Sequence, residues 1–308
     1  MRSLPLPALL CALGVWTATA RADGQWPAAS VTAHGRLLGE AVADVTHQTG
    51  ALIVADPNVA ERRIEVEITG APLDQVLEQL AIAAVGTWDS AYLLVPASSP
   101  FAGTTAPGWQ TPLQVPITLQ GGTADIADVT RALTLLSAAS VGYDLSLADA
   151  KITTQPCTNT PLEAALDAAA AAGGLAVAKG FRIMPIDRAA IFGRYGVLPP
   201  QQREAQALHD AQQMLRLDPE AVRRVLEQRH REFAKLEDSA RTRQIDEYAQ
   251  EIRQGIQVLN TLPPAVRATV RDAMRVFFDQ GMLVYRDLTL EEQLEATPII
   301  EAMGELER

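Results

Sequence analysis

Few residues of this chain have the type and spacing that chemistry requires. Cysteine is the most reactive side chain available, and the 308-residue sequence has two, Cys11 and Cys157. A thiol acts as nucleophile or redox group beside a base or a second thiol. Cys157, in the stretch QPCTN, has neither nearby in sequence, so the expected role is a small apolar filler. His34 and His47 flank a short amphipathic stretch and could meet in space, yet two imidazoles without a third ligand make an incomplete metal site. Glu227-x-x-His230 has the spacing of di-iron helical bundles, which also need a second such motif and two further glutamates. No second Glu-x-x-His exists, so a solvated helix face is expected. Nucleophile-elbow, P-loop and dinucleotide-binding glycine patterns are absent, and Gly121-Gly122 and Gly173-Gly174 read as turns. The sequence thus predicts no catalytic residue, no metal ligand and no cofactor site: a protein that is not an enzyme.

The elements around these residues are written twice. TGAPLDQVLEQL at 69–80 and TNTPLEAALDAA at 158–169 lie 89 positions apart. Leu73, Val76, Leu77 and Leu80, like Leu162, Ala165, Leu166 and Ala169, form the i, i+3, i+4, i+7 stripe of a helix on a core. Pro72 and Pro161 fall near the first turn, where a missing N–H costs nothing. The same offset lays Tyr92–Pro96 on Phe181–Pro185, an apolar strand after each helix. Upstream the offset drifts to 91, matching Leu38, Ala41 and Val45 to Val129, Ala132 and Leu136, and Leu52 and Val54 to Tyr143 and Leu145. Each copy then reads helix (36–48; 124–139), strand (ALIVA at 51; GYDLS at 142), second strand, helix, strand. SVTAH at 30 and QVPITL at 114 add an edge strand to each. Ile64, Val66 and Ile68 alternate with Glu65 and Glu67, so one face of that strand is buried. Their counterparts at offset 89 are Thr153, Gln155 and Cys157 with Pro156 among them, so the second copy reads as degenerate, with an edge strand there.

The pattern from LLGEAVADVTHQTG through DPNVAERRIEVEITGAPLDQVLEQL to AYLLVP resembles the short N-terminal domain shared by secretins and TonB-dependent signalling receptors, the STN domain. The likeness covers about 25–97 and, more weakly, 113–187. It implies periplasmic βαββαβ-like modules that dock proteins, with no catalytic residue to transfer. Those families continue into a pore or a plugged barrel. Here residues 201–308 lack the alternating strands of a barrel, so neither is expected.

The remaining organisation is simpler. MRSLPLPALLCALGVWTATARAD reads as a cleavable signal peptide over 1–22, ending in Ala20-Arg21-Ala22. Leu10 precedes Cys11 where lipidation wants a small residue, and the apolar run is shorter than the roughly 20 residues of a membrane span. Periplasmic export follows, with no membrane anchor in the mature chain. The net charge of −11 repels phosphate backbones and argues against nucleic acid as partner. Residues 98–112, SSPFAGTTAPGWQTP, read as a linker, as do 188–200. Beyond them 201–308 read as helices. Asp218-Pro219 opens a run through Val222, Leu226 and Phe233. A phase change near Asp238-Ser239 leaves one bent helix or two. Thr261-Leu-Pro-Pro starts another helix, stopped by Gly281, and Thr289-x-x-Glu292 is a capping box for the last.

The expectation is therefore an α+β protein: a first module (23–97), a second, degenerate one (113–187) and an α-helical domain. Its expected function is that of a periplasmic adaptor working by β-augmentation or helix-face docking on an envelope protein, a secretin-type or secretion-system component by resemblance. A small-ligand binding or sensor protein and an enzyme without a recognisable motif are the alternatives.

Overall fold

The structure, a computed structural model, describes residues 26–185 and 195–305. The signal-peptide reading, and most of the 188–200 connection, fall outside them. The chain is α+β, two small helix-on-sheet units followed by helices. The first copy runs β1 (Ala28–Leu37), α1 (Leu38–Thr49), β2 (Ile53–Ala55), α2 (Pro57–Ala60), β3 (Arg63–Pro72), α3 (Leu73–Ala83) and β4 (Gly86–Pro96). The second runs β5 (Ile117–Leu119), β6 (Gly122–Asp125), α4 (Ile126–Ser137), β7 (Ser140–Tyr143), a 3-10 turn (Leu145–Leu147), β8 (Lys151–Thr154), β9 (Cys157–Thr160), α5 (Leu162–Gly173) and β10 (Leu175–Pro185).

The repeat is closer than the sequence alignment suggested, and the upstream alignment needs correcting. Leu38 and Ile126 open α1 and α4, and each N–H donates to a carbonyl 24 residues on, Arg62 or Ala150, at 2.9 Å. The true counterparts of Leu38, Ala41 and Val45 are therefore Ile126, Val129 and Leu133, all buried, whereas Leu136 is exposed. Gly50 and Ala138 end the two helices in the same left-handed conformation. Ile64 corresponds to Ile152, which is fully buried, so the second copy keeps this core position. One extra residue enters at Thr154-Gln155-Pro156, where β3 is continuous but its counterpart is split into β8 and β9. Proline there cannot donate to a ladder.

The two copies share one sheet, in the order β2-β10-β4-β7. β4 and β10 are eleven residues each, about 36 Å at strand rise, longer than one small unit can cover. Each begins on its own core and ends in the other. Trp88 packs in the first core, while Tyr92 and Leu94 of the same strand are buried in the second. Val177 packs in the second core, and Phe181 and Ile183 are buried in the first. β10 then pairs in parallel with β2, and β4 with β7. Ala91 lies opposite Gly180 midway along the antiparallel β4–β10 pair, and each is the other's counterpart in the repeat. A pseudo-twofold axis therefore passes through this pair.

Asp56, Arg182 and Val141 lock the crossing. Arg182 of β10 forms an ion pair with Asp56 and also donates to the carbonyl of Val141 at 2.6 Å. Both charged side chains are largely buried, at 15% and 10% exposure. Asp56 is further satisfied by the N–H of Asn58 at 3.0 Å. At Gly142 a Cβ would stand 3.0 Å from Cδ of Arg182, so the glycine lets the arginine through.

The linker reading of 98–112 is overturned. Lys179 N–H donates to the Thr104 carbonyl at 2.9 Å, and Ala106 N–H to that of Lys179 at 2.7 Å, so the segment lies along β10 beside β2. Phe101 and Ala102 pack on the outer sheet face formed by Leu52, Leu93, Val95 and Ala178. Trp109 donates to the Ala91 carbonyl at 3.1 Å and touches both inner cores. Gly, Ser and Pro here serve turns within a packed strap.

The rest is helical: α6 (Pro200–Met214), α7 (Pro219–Phe233), α8 (Asp238–Leu259), α9 (Pro264–Arg286) and α10 (Leu290–Glu305). Asp218 caps α7, accepting from Glu220 and Ala221 N–H at 3.2 Å each. α7 and α8 are separate helices. α9 does not stop at Gly281. It continues to Arg286, because Val284 extends the buried stripe and outweighs the roughly 1 kcal/mol a helical glycine costs. The helical region docks on the first copy through Arg216–Glu78 (2.8 Å) and the packing of Val85 among α6, α7 and α9.

Candidate functional site

Two places could receive a partner: the sheet edges and the helical region. The shared sheet's edges are blocked in the same way at both ends. Ile53 N–H at the β2 edge donates to Thr46 Oγ1 at 3.2 Å, and Val141 N–H at the β7 edge to Thr134 Oγ1 at 3.1 Å. A hydroxyl from the preceding helix thus occupies the donor that an added strand would need. On β1 the Gln48 amide clamps Ser30, accepting from its N–H at 3.0 Å and donating to its carbonyl at 2.9 Å. The expected β-augmentation loses these edges as templates.

The helical region leaves more open. Its helices pack as two groups. α6, α7 and α9 share one core, with Val222, Val270, Ala273 and Phe277 buried in it. α8 and α10 share another, built on Ala249, Ile252, Ala302 and Met303. The groups join where Leu259 of α8 and Leu262 enter the first core beside Val266. Towards the other end of these helices lies a cavity of about 900 Å³, lined among others by Leu226, Tyr248, Phe277, Ile299, Ile300 and Met303. Local sequence explains the opening. α7 and α9 turn most of their apolar residues to one core and α8 and α10 to the other, with Phe278 of α9 reaching across to the second, and Gly281 removes a side chain from the wall between them.

Polar groups frame the cavity. Arg241 holds Glu295 through two bonds, at 2.9 and 2.8 Å, and Asp238 at 3.0 Å. The hydrogen bond to Glu295 raises the guanidinium's pKa further above its usual value. His230 lies 3.1 Å from Glu292. Glu292 also accepts from the Thr289 hydroxyl (2.6 Å) and N–H (2.8 Å), the capping box expected from Thr289-x-x-Glu292. Those bonds, with His230 adding a smaller effect, hold its carboxyl below the usual carboxylate pKa.

The residues singled out for chemistry do not converge. Glu227 turns to Arg223 at 2.9 Å while His230 faces Glu292, so Glu-x-x-His points at two partners. His34 pairs with Glu65 at 3.3 Å on the exposed face of β1, and His47 is exposed in the last turn of α1. Among the described residues no three His, Cys, Asp or Glu side chains are placed to hold a metal ion. Cys157 is half-buried on β9 against the second core, its Sγ 4.0 Å from the Ile117 carbonyl. The His230–Glu292 contact is a dyad at a cavity, yet the carboxylate is committed to capping α10. The residues sequence reasoning missed were those of α10. Ala296, Ile299, Ile300 and Met303 follow i, i+3, i+4, i+7 and could have been read as an amphipathic face.

Comparisons with known protein families, with curated proteins and with solved structures gave no match. What the cavity does has to follow from its own residues.

Proposed function

We propose that this chain is a binding adaptor of the cell envelope, exported by the leader at 1–22, which captures an apolar helical segment of a partner protein between its two helix groups. The α/β pair serves as a rigid base, and catalysis plays no part. The observation that carries this reading is the cavity of about 900 Å³, walled by helices and lined by Leu226, Tyr248, Phe277, Ile299 and Ile300, more than twice the volume of the opening of about 400 Å³ beside Leu259 and Pro264. Helix-in-groove docking uses such walls, reading apolar anchors one helical turn apart. The STN resemblance favours a secretin-type or secretion-system component as partner, by analogy alone. No helix among the described residues is long and apolar enough to cross a membrane.

A photoreactive residue at Ile300, compared with one at Thr32 on exposed β1, tests the reading in the producing cell. A protein adduct from position 300 and none from position 32 is expected. Adducts confined to position 32 would return docking to the strand edge. A second reading, capture of a small apolar molecule, draws on the same volume, which lies in the range of ligand pockets. A discrete low-mass adduct in native mass spectrometry would favour it.

A further inference from the structure

Resting on the reading of the cavity as a helix-docking groove, we infer the chemistry of the docked segment: a basic amphipathic helix, its apolar stripe edged by Lys or Arg. Shape selects a helix. The groove runs between two helix groups joined at the Leu259 end and diverging at the other, so an inserted helix meets side-chain ridges on both sides. Charge selects a basic one. Glu247 and Glu251 of α8 line one side, and Glu291, Glu292 and Glu295 of α10 the other. Arg241 is held by Glu295 and Asp238, and His230 lies against Glu292, so these groups offset one another, and the charge at the mouth is set by Glu247 and Glu291 against Arg229. Glu247 and Glu291 stand exposed at the rim.

The same charges disfavour the other occupants. A fatty acid or phospholipid brings an anion to an acidic rim. A second copy would offer its own α10, whose charged residues are Glu291, Glu292, Glu295, Glu301 and Glu305 without a base, on a chain of net charge −11. Like charges placed against one another in an interface are penalised.

Two labelled peptides of about 18 residues, near 27 Å as helices, test this against the full chain by fluorescence anisotropy. Both carry the same Leu stripe, one with Lys flanks and one with Glu flanks. The Lys peptide is expected to bind at least about tenfold tighter at low salt, with the gap closing as salt screens it. Glu247→Lys with Glu291→Lys should erase the gap, and Ile300→Trp, which fills the groove, should weaken both peptides. Circular dichroism of each variant checks that the fold is kept. Equal binding of both peptides would overturn the charge inference and leave the docking reading standing. If neither peptide binds, both fall, and a neutral monoacylglycerol that binds and is blocked by Ile300→Trp would identify a lipid site instead.

Discussion

The α/β pair and the helical region solve the same problem, burying apolar stripes of short helices, with opposite results. In the pair, β4 and β10 run from one core into the other. Tyr92 and Phe181, the largest fully buried side chains of these two strands, lie in the core of the other copy. Even the segment between the copies is packed. In the helical region α10 keeps Leu290 and Leu294 at 73% and 68% exposure, and a cavity separates its helix group from the other. A region that buries most of its apolar surface supports, and one that leaves a contiguous apolar surface open can bind.

Phe181→Ala gives the largest expected effect and the sharpest test of the interlock. It should cost about 3–5 kcal/mol, and hydrogen exchange should show lost protection first in β1, α1 and α3 of the first copy, although Phe181 belongs to the second. Loss confined to α4 and α5 would mean that β10 stays with its own copy. Arg182→Met leaves Asp56 buried without its cation and should cost about 3 kcal/mol, since one partner of a buried pair is removed. Both mutants should melt residues 26–185 in a single transition in calorimetry. Two separate transitions would break the shared-sheet picture.

The helical region should respond more weakly. Thr289→Ala removes the capping box of α10 and should cost about 1 kcal/mol, lowering the helical region's denaturant midpoint and leaving the α/β transition unchanged. Glu292 supplies a pH signature with a definite sign. Its native pKa is lowered from 4.5, so its stabilisation is complete above that value and is lost as pH falls through the lower native one. Glu292→Gln should therefore flatten the acid limb of the helical region's stability curve. Ile300→Ser at the cavity wall should change stability by no more than about 0.5 kcal/mol. A loss of several kcal/mol there would make the groove a core and remove the site.

What could be read from residues was local. The stripes of α1, α3 and α5, the alternation at Ile64 to Ile68, the Asp218-Pro219 cap and the Thr289–Glu292 box each lie within a few residues, and helix and strand periods report such neighbours directly. Even the unannounced helix α6 left its mark in Ala207, Ala211 and Met214, all buried. The pairing of the last strands could not be read. Tyr92 and Leu94 fit either core as well as Phe181 and Ile183 do, because the two copies have the same pattern, and a period-2 signal names a face without naming the partner. Strand length decided it, since eleven residues outrun one unit and carry each strand past the Ala91–Gly180 crossing. The strap was misread because glycine, serine and proline mark turns whether or not the turns are packed. The cavity belongs wholly to the tertiary level. Each helix around it has an ordinary apolar stripe, and only the way two helix groups divide those stripes between separate cores leaves apolar surface uncovered.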